Sequence, residues 1–81
     1  MTEKKTIHDY AVEILRTWKN IHPSAKPYVE AMLELYDIHD HYLYDSADDI
    51  VRRFLINANT WRGDDARRVK KQLNLLLISQ N

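Results

Sequence analysis

Apolar residues return at helical spacing in four stretches of this chain. Ile7, Tyr10, Ala11, Ile14, Leu15 and Trp18 stand at i, i+3, i+4, i+7, i+8 and i+11, an unbroken stripe along one side of a helix. Thr6 can cap its start, with Asp9 three residues on as a short capping box. Asp9 near the start and Lys19 near the end also suit the helix dipole. Ile21-His22-Pro23 should end this helix, because the residue before a proline is pushed out of the α region. Ser24 is the expected cap of a second helix. Pro27 falls in its first turn, where an N–H would be unpaired anyway. Val29, Met32, Leu33 and Tyr36 form its stripe with Ala25 in line, and Glu30, Glu34 and Asp37 line the far side. Ser46, with Asp49 reaching back, opens a third helix whose stripe is Ala47, Ile50, Val51, Phe54, Leu55 and Ala58. Asn57 or Asn59 should end it, since asparagine tolerates the left-handed conformation. Ala66, Val69, Leu73, Leu76 and Leu77 face inward on a fourth helix, with Asp64 as its N-cap. The stretch Asp37 to Asp45 has no helical period, and reads as a loop or as a short extended piece at Tyr42-Leu43-Tyr44.

The single glycine and both prolines fall between these stripes. The pattern therefore predicts an all-α fold, a small bundle of four amphipathic helices over residues 6–21, 24–37, 46–58 and 63–79 with short connections. Residues 1–81 form one helical domain in this reading, with 1–5 a flexible tail. Three apolar residues lie off the stripes: Ile56, Leu75 and Ile78. A helix that is apolar on two sides needs a second partner, so these positions predict self-association or docking of another protein. Trp61 either packs over the junction of the last two helices or anchors a partner.

Composition narrows the function classes. At 44% hydrophobic the chain is too apolar to stay disordered. With no cysteine, it offers no disulfide, thiolate zinc site or thiol nucleophile. The longest apolar run, Leu75-Leu76-Leu77-Ile78, is far too short to span a bilayer, and Met1–Lys5 leads into no apolar signal segment. A cytoplasmic protein without a membrane partner is expected. Lys plus Arg and Asp plus Glu balance at twelve each, but unevenly. Residues 1–45 carry five basic and eight acidic groups, net −3; residues 46–81 carry seven and four, net +3. In a two-fold dimer Glu30, Glu34 and Asp37 of one copy can meet Arg67, Arg68 and Lys71 of the other. Within the chain, Asp48→Arg52, Asp49→Arg53 and Asp64→Arg68 are i, i+4 pairs in the favourable order.

A nucleic-acid reading uses the last two helices as a helix-turn-helix, with Arg67, Arg68, Lys71 and Asn74 at the contact. Asp64 and Asp65 oppose it, because they occupy the end of the helix that would meet bases. His39-Asp40-His41 has ligand types that suit zinc but lacks a clear fourth ligand, so no metal and no cofactor is assigned. Tyr36, Tyr42 and Tyr44 are read as closing a small core rather than stacking on bases. Arg62-Gly63-Asp64 matches an adhesive tripeptide by chance in a chain without a secretion signal. There is no nucleophile turn and no glycine-rich phosphate loop, and short helices leave little room for a substrate cleft; an enzyme is not expected.

The segment from Tyr44-Asp45-Ser46 through Ile50-Val51, Phe54-Leu55 and Asn57-Ala58 leads into Thr60-Trp61-Arg62-Gly63-Asp64-Asp65-Ala66-Arg67-Arg68, then Lys70 and Leu73. It resembles a group of short uncharacterised proteins encoded by phages and integrated mobile elements of Gram-positive bacteria. The Trp-Arg-Gly-acidic-acidic-Ala-Arg-Arg run is the most specific part of the likeness, and residues 1–43 add nothing to it. The resemblance implies a genetic setting rather than a chemistry. In that setting the expectation is a small interaction module that binds itself or a host or element-encoded protein, with nucleic-acid binding as the alternative.

Overall fold

In the computed structural model, which describes residues 5–79, Thr6 opens the first helix as its sequence predicts. The Thr6 hydroxyl accepts from the Asp9 amide at 3.1 Å, and the Thr6 amide donates to Asp9 Oδ2 at 2.8 Å. That reciprocal pair starts α1 (Ile7–Thr17) and holds the Asp9 carboxyl below its ordinary range, the Thr6 backbone bond being the main cause. The helix stops four residues short of the expected end. Trp18 turns extended, and its indole swings into the core against Trp61 and Phe54. Leu15, expected inside, lies 45% exposed. Of the expected tail, residues 1–4 lie outside the described residues, while the Lys5 ammonium meets Glu13 at 3.3 Å.

The second helix differs most from expectation. Ser24 does not cap it: its hydroxyl bonds the His22 imidazole at 2.8 Å, and α2 (Lys26–Met32) begins at Ala25 with Pro27 in its first turn. Seven residues make only about two turns. Tight turns follow, with Glu34 N–H donating to Ala31 and Leu35 N–H to Met32. Carbonyls beyond the helix are then taken by α1: His8 Nδ1 donates to Leu33 O at 2.8 Å, and Ile7 N–H to Tyr36 O at 3.1 Å. Leu35 is fully buried in place of Tyr36, which is exposed and stacks on the His8 ring. Glu34 and Asp37 consequently lie past the helix, and the expected acidic stripe with Glu30 is not a helical face.

Residues 37–40 form a turn built by two carboxylates. Asp40 Oδ2 accepts from the amides of Tyr36 and Asp37 at 3.1 and 3.0 Å, and Asp37 Oδ1 from His39 N–H at 2.8 Å. The Asp37 and Tyr36 amides hold the Asp40 carboxyl below its usual range. A minimal antiparallel hairpin follows, β1 (His41–Tyr42) and β2 (Asp45–Ser46), pairing His41 with Ser46 and Tyr42 with Asp45. Leu43 takes the first turn position at φ 57, a strained value for a residue with a Cβ. The expected extended piece is therefore confined to Tyr42, since Leu43 and Tyr44 make the turn.

Ser46 precedes α3 (Ala47–Ile56) with extended backbone but makes no side-chain cap bond. The Ala47 amide finds the Asp40 carbonyl at 2.8 Å instead. Asn57 ends α3 without the left-handed conformation; its side-chain amide donates to Arg53 O at 2.8 Å. Gly63, at φ 113, does need the left-handed half of conformational space, and its carbonyl accepts from Arg67 N–H at 2.9 Å. Gly63 rather than Asp64 is thus the last residue before α4 (Asp64–Ser79).

The fold is mostly helical. α1 packs on α2 and α4, and α3 packs on α2 and α4, so the four helices close a ring around one core. Its largest fully buried side chains include Phe54, Ile7, Ile14, Met32, Leu35 and Leu73. The Cα radius of gyration is 11.7 Å, as the ~2.2·N^0.38 scaling of compact domains gives for this length. The stripes of α3 and α4 are buried as predicted, apart from Leu55 and Leu76 at their margins. Among the described residues no helix is long and apolar enough to cross a membrane.

Candidate functional site

Helix α3 reaches the groove beside α4 with its last turn. Ile56 there is 72% exposed, and Ile78 on the final turn of α4 is 67% exposed. Both line one groove of about 460 Å3 with Leu55, Leu77, Arg52 and Asn74. Leu75, three residues before Ile78 and so its neighbour on the helix surface, is half exposed. Periodicity explains the arrangement: α4 turns Ala66, Val69, Leu73 and Leu77 to the core, which leaves Leu75 and Ile78 outside. The three off-stripe residues are exposed, as their register requires.

Trp61 has the opposite placement. Its indole is buried, stacked on Trp18 at 5.3 Å between centroids and 7° between planes, and Phe54 meets both rings edge-on. Of the two readings of Trp61, packing over the junction is the one its burial favours: at 4% exposure, with Trp18 stacked on the ring and Phe54 edge-on, little of it is left to anchor a partner. Its position is that of a packing residue at the α3–α4 junction. Lys70 closes the stack from outside, donating to the Trp61 carbonyl at 2.6 Å with its ammonium 5.9 Å from the ring centroid.

The basic residues separate into committed and uncommitted groups. Arg68 donates to Glu13 on α1 at 2.8 Å and to Asp65 at 3.2 Å. Burial alone would raise the Glu13 carboxyl, but the bonds from Arg68 and Lys5 outweigh it and hold the group below its ordinary range. Asn74 spends its amide on the Lys70 carbonyl at 3.0 Å. Of the four residues expected at a nucleic-acid contact, Arg68 and Asn74 thus already hold partners within the chain. Arg67 has only Asp64, at 3.9 Å with both side chains in open solvent, and Lys71 is exposed beside it. Of the three expected i, i+4 pairs, Asp48–Arg52 forms at 2.8 Å; Asp49 meets Arg52 at 3.7 Å in place of Arg53, and Arg68 takes Asp65 rather than Asp64.

The acidic candidates are not brought together. Glu30 is exposed on α2 and Glu34 exposed beyond it, while Asp37 belongs to the 37–40 turn. Among the described residues no group of three or more His, Asp or Glu side chains is placed to hold a metal ion, and the Asp40 carboxylate between His39 and His41 is engaged by backbone amides. Sequence reasoning missed two features of α4. One is Lys70 over Trp61; the other is Gln72, whose Oε1 is buried without a hydrogen-bond partner among the described residues. Gln72 falls at the edge of the buried stripe, three residues after Val69, and this spacing is the only advance signal of its burial. Protein-family models, curated proteins and solved structures contain no match to this chain.

Proposed function

We propose that this chain is a small helical interaction module, without catalytic activity, that pairs with a second copy of itself through the α3–α4 edge. The observation that carries the reading is the side-by-side exposure of Ile56 and Ile78 on one groove, with Leu75 exposed on the neighbouring groove of α4. Large aliphatic side chains gathered on one edge of so small a domain gain most when a like patch covers them, and a two-fold axis through the groove uses the same patch twice. Glu30 and Glu34 of one copy, with Arg67 and Lys71 of the other, form the charged rim; Asp37 and Arg68 drop out because their groups serve contacts within the chain. The four helices act as a small bundle that holds this edge rigid. The resemblance of residues 60–68 to short proteins of phages and mobile elements fits an accessory protein that works by attachment in the cytoplasm.

Sedimentation equilibrium at micromolar concentration tests the reading. Wild type is expected at dimer mass and the Ile56→Lys/Ile78→Lys variant at monomer mass with an unchanged far-ultraviolet spectrum. A wild-type monomer at every concentration would remove self-association from the proposal.

One observation favours a second reading, nucleic-acid binding: Arg67 and Lys71 stand exposed on the same face of α4, and the 3.9 Å contact of Arg67 with Asp64 lies in open solvent. Asp64 and Asp65 at the head of that face count against it. A duplex shift assay at two salt concentrations decides it, with loss of binding in Arg67→Ala/Lys71→Ala as the supporting result.

A further inference from the structure

The junction before α4 carries an open surface pocket of about 290 Å3, separate from the α3–α4 groove. Trp61, Gly63 and Ala66 give it walls, and Arg62, Arg67 and Lys70 give it three positive charges. We infer that this pocket binds a phosphate dianion, free or as the terminal group of a small phosphate ester.

Charge accounting supports the assignment. The Lys70 ammonium has a carbonyl, Trp61 O, as its partner and no carboxylate among the described residues. Burial and the positive charge of Arg62 both hold its pKa below the ordinary lysine range. Arg62 makes no ion pair among the described residues, and Arg67 has only the solvent-exposed contact to Asp64. An exposed pair of that length contributes little, so Arg67 is effectively available. The two nearby acids do not fill the pocket: Asp64 lines the neighbouring groove with Lys71, and Arg68 holds the Asp65 carboxylate. Three cations thus line one pocket, and the only carboxylate paired with any of them among the described residues is that of Asp64, 3.9 Å from Arg67 in open solvent.

The backbone adds to this without carrying it. Arg67 N–H is the amide that finds the Gly63 carbonyl, and Gly63 has no side chain to cap the amides before it. Those first-turn N–H groups and the positive end of α4 favour an anion at the same place. Preorganisation comes from the core, because Trp61, which frames the pocket and anchors Lys70, is itself fixed between Trp18 and Phe54. A polymer backbone fits less well than a single group. It calls for a stripe of cations, whereas here three cations line a single pocket and Asp64 and Asp65 interrupt the surface beyond.

Titration of the 15N-labelled protein with inorganic phosphate and with phenyl phosphate, at constant ionic strength, reads the site directly. Saturable amide shifts confined to residues 61–70 are expected, with roughly tenfold weaker binding in Arg62→Gln/Arg67→Gln. Both substituted side chains are exposed and outside the core, so the variant should keep its wild-type melting curve. Tighter binding of phenyl phosphate would identify an ester as the ligand, and equal binding the free ion. Shifts that never saturate, that chloride reproduces, or that persist unchanged in the variant would overturn the proposal. So would binding of a duplex oligonucleotide at these residues with no response to either phosphate.

Discussion

Ile56 and Trp61 flank the same junction, and their environments are opposite. Ile56 belongs to a regular helix and is almost three-quarters exposed; Trp61 belongs to an irregular connection and is 4% exposed. The helix decides the first case, since α3 spends Ile50, Val51 and Phe54 on the core and the next turn carries Ile56 past the inward arc. Two aromatic partners decide the second. Trp18 and Phe54 provide flat and edge contacts that recover far more apolar area than any loop residue would keep in water. Regularity of backbone and burial of side chain are therefore independent here: the connection is pinned by its side chain, and the helix end presents its own outward.

The largest test of that contrast is Trp61→Ala. Loss of a buried aromatic should cost ~3–5 kcal/mol, a large share of the stability of so small a domain. Urea unfolding followed by dichroism should show a much lower midpoint or no cooperative transition. A loss under about 1 kcal/mol would mean that the connection is held by its backbone and that the stack is incidental.

A polar atom inside the core margin sharpens the same contrast from the other side. Gln72 Oε1 is buried without a partner among the described residues, so the site has interior character while its side chain has surface chemistry. Gln72→Leu should raise stability by about 1 kcal/mol, because it removes an unsatisfied acceptor and adds apolar contact. An unchanged or lower urea midpoint would show that water reaches this oxygen in solution.

How much of this was legible beforehand follows the same division. α1, α3 and α4 are readable from their apolar stripes, although only the Thr6 capping box forms as expected, and the exposure of Ile56, Leu75 and Ile78 follows from register alone. α2 was misread because Val29, Met32, Leu33 and Tyr36 continue a helical period that the chain does not use. The carbonyls of Leu33 and Tyr36 are claimed by His8 and Ile7, contacts that no local pattern announces. Trp61 and the cation pocket were hidden for a related reason. A loop has no period from which to infer an inward direction, and Lys70 meets Trp61 only because α4 folds back over the junction.

Acid should act on α1 and on the 37–40 turn by a smaller effect, since the carboxylates concerned are near the surface and solvent screens them. Asp9, Glu13 and Asp40 all have folded pKa values below their ordinary ones. Groups shifted in this direction contribute stability that is complete above the unfolded pKa of ~4 and is lost as pH falls through the folded value. The urea midpoint should be level from neutral pH to about 5 and decline below about 4. Asp40→Asn keeps a carbonyl acceptor for the Tyr36 and Asp37 amides while removing the titration, so its acid decline should be shallower than that of wild type. Identical acid limbs would show that the 37–40 turn does not contribute to this dependence.

The smallest stability effect belongs to Ile56 itself. Replacement by lysine in a monomeric preparation should change unfolding free energy by no more than ~0.5 kcal/mol, since an exposed position has little burial to lose. Lysine is a good helix former, and near the C-terminus of α3 its charge is favourable to the dipole, so the sign can even be positive. The measurement distinguishes an outward side chain from one that folds down over Leu55 and Leu77 in solution. A concentration-independent loss above 1 kcal/mol would mean that Ile56 belongs to the core of the single chain. A loss that appears only as concentration rises would have another cause, the removal of a contact between copies, because association stabilises the folded state in proportion to how much of it is bound.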